Sequence, residues 1–200
     1  MTVRVFLLAA IVALPAGRLQ AAADVAAGQE KARVCSGCHG ENGVSSIPGV
    51  PSLAGQQDQF LQWQLVFFRS GRRPNPAMSV ISEGLSDADI RNLGAYYHSL
   101  PYNTKVPGGP GDAELAAKGQ VVAEQHRCAN CHTDTFRGER AAAAIADQRE
   151  EYLVKALTDY RSAARPSVGV AAMTEAAAGL DDGEIAAVSH YLATLGPPVQ

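Results

Sequence analysis

Cys35-Ser36-Gly37-Cys38-His39 and Cys128-Ala129-Asn130-Cys131-His132 decide how this 200-residue chain is read. The chain has four cysteines, and all four lie in these two Cys-x-x-Cys-His units. In that pattern both thiols add to the vinyl groups of a haem, and the histidine that follows is held under the iron as its proximal ligand. A disulfide framework has no use for a histidine directly after the second cysteine of both pairs. A zinc site at finger spacing would need a fourth ligand that neither half supplies. The motifs therefore predict two covalently bound haem c groups, each with its iron. Cys35, Cys38, Cys128 and Cys131 are the expected attachment points, and His39 and His132 the expected axial ligands. A covalent redox centre in each half makes electron transfer the leading expectation.

The motifs belong to a longer internal repeat. Cys35 aligns with Cys128 at an offset of 93, and Leu53-Ala54-Gly55-Gln56 with Ile145-Ala146-Asp147-Gln148 at 92. Arg69-Ser70 then matches Arg161-Ser162, Arg73-Pro74 matches Arg165-Pro166, and Met78 matches Met173 at an offset of 95. Between the copies, Pro101 to Gly111 holds three prolines and three glycines, which continue neither helix nor strand. The expected organisation is a leader at 1–23, an N-terminal domain at 24–100, a linker at 101–111 and a C-terminal domain at 112–200. The domains have 77 and 89 residues, small for an apolar core of their own, and a large flat cofactor would supply the missing centre.

Composition bounds the partners. The chain is 46% apolar with a net charge of −3 and no strongly basic or acidic run, which argues against nucleic acid. Val5 to Leu14 is an unbroken apolar run after Arg4, broken by Pro15-Ala16-Gly17 and followed by the small residues Ala21-Ala22-Ala23. This reads as a secretory signal peptide cleaved near Ala23. Its ten residues fall short of the ~20 that cross a bilayer as a helix. Removing it takes away Arg4 and Arg18 and leaves a mature charge of −5. The expected location is the periplasm, and peripheral association with a membrane stays open.

Local patterns are helical throughout. Asp24 to Val34 and Asp112 to Arg127 lead into the two motifs. Gln57 to Ser70 carries Phe60, Leu61, Leu65 and Phe68 near helical period. Ser86 with Asp89 resembles a capping box, followed by Ile90, Leu93, Gly94 and Tyr97 on one face. Asp181 opens the matching helix of the second half. The fold class expected is all-α in two tandem units.

The sixth iron position separates a carrier from a catalyst, since a second strong ligand closes the iron and an open position admits small molecules. Apart from Met1 the chain has only Met78 and Met173, lying 39 and 41 residues after His39 and His132. Both are expected in loops. They read as thioether ligands or as gap-filling core methionines. His98, His126 and His190 have no counterpart in the other half and read as surface or half-buried histidines. Arg69, Arg72, Arg73, Arg161 and Arg165 read either as partners of haem propionates or as solvated helix ends.

The ordered set of both Cys-x-x-Cys-His units, Pro51-Ser52-Leu53-Ala54-Gly55-Gln56, Phe68-Arg69-Ser70-Gly71-Arg72-Arg73, Asn75-Pro76-Ala77-Met78 and Leu85-Ser86-Asp87-Ala88-Asp89-Ile90 resembles the two-haem class I cytochromes c, the cytochrome c4 type. The resemblance covers essentially the whole mature chain. It implies two tandem class I cytochrome c domains, each wrapped around a covalent haem, with His39 and Met78 on one iron and His132 and Met173 on the other. It implies a carbonyl at Pro51, and at the aligned Ala143, that accepts a hydrogen bond from the ligand histidine. It implies that Gly28 and Gly119 let the first helix of each domain pack closely on the last. The partners implied are redox proteins: a quinol-oxidising complex and a terminal oxidase, with the protein as carrier rather than enzyme. The alternatives are a dihaem subunit of a periplasmic dehydrogenase, such as a sulfide-oxidising flavoprotein, and a haem enzyme with one open iron.

Overall fold

A computed structural model describes residues 22–102, 111–165 and 172–196. Most of the expected leader (1–21) and of the expected linker (103–110), with residues 166–171 and 197–200, lie outside the described residues. Among the described residues the structure is helical, without strands. The first half runs α1 (Val25–Lys31), a 3-10 turn (Ala32–Val34), α2 (Ser36–His39), α3 (Asp58–Arg69), α4 (Pro76–Glu83) and α5 (Asp87–Ser99). The second half repeats the order as α6 (Ala113–Gln125), α7 (Ala129–His132), α8 (Glu150–Arg161), α9 (Ala172–Ala178) and α10 (Asp182–Ala193).

The helix starts follow from their caps. Asp24 accepts from Ala27 N–H, and Asp112 accepts from the N–H groups of Glu114 and Leu115. Ser86 with Asp89, and Asp181 with Glu184, each form a complete capping box. α5 buries Ile90, Leu93, Gly94, Tyr96 and Tyr97, and α10 buries Ile185, Val188 and Leu192. These faces are the centres of two separate apolar clusters, one per half.

In each half the first and last helices touch backbone to backbone. A Cβ on Gly28 would sit 2.1 Å from the Asn92 carbonyl oxygen, and one on Gly119 would sit 2.0 Å from that of Ala187. A second tie joins the end of the long middle helix to the start of the last. Arg69 donates to Leu85 O and Asp87, and Arg161 donates to Leu180 O and Asp182. These two guanidiniums are clamps between elements, which is a role neither of the sequence alternatives described.

The second half keeps left-handed turns after losing their glycines. Gly40, Gly43, Gly55 and Gly71 have φ of 82°, 71°, 66° and 71°. Their counterparts Thr133, Phe136, Asp147 and Ala163 have φ of 67°, 54°, 51° and 58°. An L side chain there costs about 1–2 kcal/mol. Matching main-chain bonds hold the turns: Gly55 N–H donates to Tyr97 O, and Asp147 N–H to Leu192 O, both at 2.8 Å.

The halves meet through reciprocal contacts. Ser52 N–H donates to Gln148 Oε1 at 2.8 Å, and Gln148 Nε2 returns a bond to Ser52 O at 2.9 Å. At the aligned place Ala144 N–H donates to Gln56 Oε1 at 2.7 Å, and Gln56 Nε2 donates to Ala144 O at 2.9 Å. Arg149 donates to Ser45 O, and its counterpart Gln57 donates to the carbonyls of Arg137 and Gly138. Tyr102, at the end of the first half, backs onto Gly55, lies against the Arg137 guanidinium and donates to Ala146 O.

Gly119→Ala is expected to destabilise the protein by about 3 kcal/mol, because two backbones must separate. Gly179→Ala, where a Cβ meets nothing within 4 Å, should stay within about 0.5 kcal/mol. Chemical denaturation followed by circular dichroism checks the pair.

Candidate functional site

Each Cys-x-x-Cys-His unit is a single helical turn. His39 N–H donates to Cys35 O, and His132 N–H to Cys128 O, both at 3.0 Å. Residues four apart share a face, so the first thiol and the imidazole of each motif project together. No disulfide joins any of the four cysteines, Cys35 and Cys128 being half-buried and Cys38 and Cys131 exposed. Burial holds Cys35 and Cys128 above the ordinary thiol range, the opposite of what a thiol-exchange pair needs. Among the described residues no cluster of three or more His, Cys, Asp or Glu forms a metal cage.

His39 and His132 are 6% and 8% exposed. Burial lowers the basicity of both rings, with the hydrogen bond each makes to a backbone carbonyl acting the other way. The Nδ1 of His39 lies 2.8 Å from Pro51 O, and that of His132 lies 2.7 Å from Ala143 O. A neutral imidazole donating from Nδ1 has its lone pair on Nε2, the form that binds a metal. Replacing the proline by Ala143 leaves this contact in place because the acceptor is main chain.

The methionines depart from expectation. Met78 lies in α4 and Met173 in α9, in the first turn of a short helix rather than in a loop. Asn75 starts α4 by accepting from the N–H groups of Ala77 and Met78, and Pro76 at the first helical position needs no partner for its nitrogen. Both methionines are half-buried. Met173 packs on the same cluster as Cys128 and Ala129. The remaining histidines have protein partners: His98 Nδ1 meets Gln56 O, His190 meets Glu150, and His126 faces Glu184.

Between the halves lies a cationic cluster that sequence reasoning did not assemble, with Arg165 and Gln64 buried and Arg73 and Tyr152 half-buried. Arg73 donates to Gln64 Oε1 at 2.6 Å, and Arg165 to the same oxygen at 2.9 Å. Both also reach the Tyr152 hydroxyl, at 3.5 and 3.3 Å. Each guanidinium caps an aromatic ring, Arg73 over Phe68 and Arg165 over Tyr160. Burial raises the Tyr152 phenol, but Arg165 and Arg73 outweigh it and hold the group down at about 7. Neither arginine has a carboxylate within ion-pair distance among the described residues, and Arg165 Nε and Gln64 Nε2 are buried without hydrogen-bond partners. A site of one buried and one half-buried cation with orphaned donors suits an anion, and haem propionates are carboxylates. With four cysteines outside any disulfide and two buried imidazoles bonded through Nδ1, the residues present fit two covalent haems.

The arrangement defines a duplicated c-type haem protein, and comparison with known proteins narrows this to one family. The cytochrome c family model matches residues 116–196, and the model for cytochrome c oxidase, cbb3-type, subunit III matches residues 22–96. The chain is 36% identical to cytochrome c4 of Pseudomonas aeruginosa over 186 residues, covering 88% of this chain and 90% of that one. It is 30% identical to a thiosulfate dehydrogenase electron acceptor of Stutzerimonas stutzeri over 174 residues, covering 82% and 80%. The crystal structure of reduced cytochrome c4 from Pseudomonas stutzeri superposes with a TM-score of 0.78 at 30% identity, covering 86% of this chain and 98% of that one. The chain belongs to the cytochrome c4 family of dihaem cytochromes c, and it is an electron-transfer protein carrying two covalently bound haem c groups.

Tyr152→Phe is expected to cost about 1–2 kcal/mol, by removing an acceptor shared by the buried Arg165 and the half-buried Arg73. Its counterpart Phe60 shows that a phenyl ring is accepted at the aligned place. Urea denaturation of the two proteins measures the difference.

Proposed function

We propose that this protein is an exported carrier passing electrons between a quinol-oxidising complex and a terminal acceptor, with His39 and Met78 as axial ligands of one iron and His132 and Met173 of the other. The observation that carries the reading is the matched pair of buried imidazoles, each bonded through Nδ1 to a main-chain carbonyl with Nε2 left to bind. Each half also supplies one half-buried methionine at a corresponding place. When bound, each haem iron exchanges a single electron between its ferric and ferrous forms. The residues of the chain do the rest. The four thiols would hold the groups covalently, His39 with Met78 and His132 with Met173 would ligate the irons, and Arg73 and Arg165 would neutralise propionates. His/Met ligation raises the reduction potential and excludes small-molecule chemistry.

The domains run 24–100 and 112–200, and a leader cleaved near Ala23 directs the chain to the periplasm. Among the described residues no helix is long and apolar enough to cross a membrane. Charge divides unevenly: residues 24–102 carry seven acids and six bases, and residues 111–200 carry thirteen and eight. A partner docking on the second half is therefore basic, and its binding weakens with salt. A second reading, the cytochrome partner of a periplasmic dehydrogenase, is favoured by relatives named as electron acceptors of thiosulfate dehydrogenase.

The ferric absorption spectrum with haem stoichiometry tests the ligands. Two haems per chain and the weak thioether-to-iron charge-transfer band are expected. Met173→Ala should abolish part of that band and open one iron to carbon monoxide or cyanide. Ligand binding unchanged by that substitution would remove Met173 from the iron, and ligand binding by the wild type would favour a haem enzyme.

A further inference from the structure

The peptide group that orients each buried histidine is also the one held by the opposite half. Pro51 O accepts from His39 Nδ1, and the N–H of that same peptide, belonging to Ser52, donates to Gln148 Oε1 at 2.8 Å. In the second half, Ala143 O accepts from His132 Nδ1, and the N–H of that peptide, belonging to Ala144, donates to Gln56 Oε1 at 2.7 Å. A single planar peptide thus lies between each histidine and a glutamine of the other half, Gln148 being 96 residues from Ser52 and Gln56 88 residues from Ala144. Both glutamines are buried, at 5% and 6% exposure, and Ser52 and Ala144 are at 2%. Each glutamine binds its residue twice, through Oε1 and Nε2, so its plane is fixed. Each Oε1 also accepts from the next N–H of its own chain, Gln57 at 2.9 Å and Arg149 at 3.0 Å.

Hydrogen bonds in such a chain polarise one another. A peptide whose N–H is donated carries more negative charge on its carbonyl oxygen. That oxygen then draws harder on the imidazole N–H and makes the opposite ring nitrogen a stronger electron donor. We propose that Gln148 and Gln56 are positioning residues that act crosswise, each tuning the axial histidine of the half to which it does not belong. The proposal rests on the reading that His39 and His132 bind iron. A more basic imidazole favours the ferric state, so loss of a glutamine raises the potential of the haem in the other half.

The rival account is that the glutamines only hold the interface together, in which case removing either disturbs both halves alike. The experiment is a redox titration of the full-length holoprotein, with the two haems resolved by their ferric haem-methyl resonances. Those resonances are assigned by which set changes in Met78→Ala and in Met173→Ala. In Gln148→Met, the reduced-to-oxidised ratio of the N-terminal haem at a fixed potential should rise about three- to tenfold. That is roughly 30–60 mV at 59 mV per tenfold. The C-terminal haem should stay within about twofold of wild type. Gln56→Met should give the mirror result. Gln148→Glu keeps an acceptor on Ser52 N–H, so the N-terminal haem should stay at or below its wild-type potential. Equal movement of both haems, movement of the haem in the variant's own half, or no movement would each overturn the proposal. So would a rise in Gln148→Glu. Should a methionine variant lose haem or helicity, the sign of the Gln148→Glu shift decides. Failure of the underlying ligand reading would show separately, in the wild-type protein, as missing haem or a missing thioether band.

Discussion

The bond from a buried imidazole N–H to a main-chain carbonyl is the interaction on which both sites depend. A histidine at 6–8% exposure cannot stay charged cheaply, and a buried neutral ring still has one N–H to satisfy. Giving that proton to Pro51 O or Ala143 O fixes the tautomer and the ring plane together. The loops that bring these carbonyls forward are in turn fixed by left-handed turns at Gly55 and Asp147, each bonded to the last helix of its half. The helix crossing at Gly28 or Gly119 then sets where that last helix lies. The placement of each imidazole is thus determined by the packing of a whole half.

Electrostatics between the halves answers to the same logic. Two guanidiniums brought together, one buried and one half-buried, are unfavourable unless counter-charge arrives. The aromatic faces of Phe68 and Tyr160, the Tyr152 hydroxyl and Gln64 relieve part of that cost. The carboxylates of two haems would supply the remainder, so cofactor attachment and closure of the halves stabilise each other.

Much of this was legible in the sequence because it is local or periodic. The motifs, the caps at Ser86 and Asp181 and the apolar faces of α5 and α10 are all read within a few residues of themselves, whereas the close packing at Gly28 and Gly119 came from the family resemblance, since its partners Asn92 and Ala187 are distant in sequence. The short helices carrying Met78 and Met173 were not, because helices of eight and seven residues show too little of a repeating stripe. The turns of the second half were hidden for another reason: Thr133, Phe136 and Ala163 hold positive φ without the glycine that would announce it. The contacts of Gln56 and Gln148 are made with backbone groups, which leave no mark on the residue opposite. The one available signal was that Gln is kept in both copies while the residue before it changes from Gly55 to Asp147.

The paired glutamine contacts are isologous: the same patch on each half meets its own image. One half therefore already contains both sides of the joint, and two separate single-haem chains of this kind could close it as a homodimer. Fusion into one polypeptide removes the requirement that the two images stay alike. Tyr152 opposite Phe60, Gln64 opposite Ala156 and Arg149 opposite Gln57 are differences that a strictly symmetric pair could not carry. They give the two irons unequal surroundings, and unequal surroundings are what give an electron a preferred direction of travel.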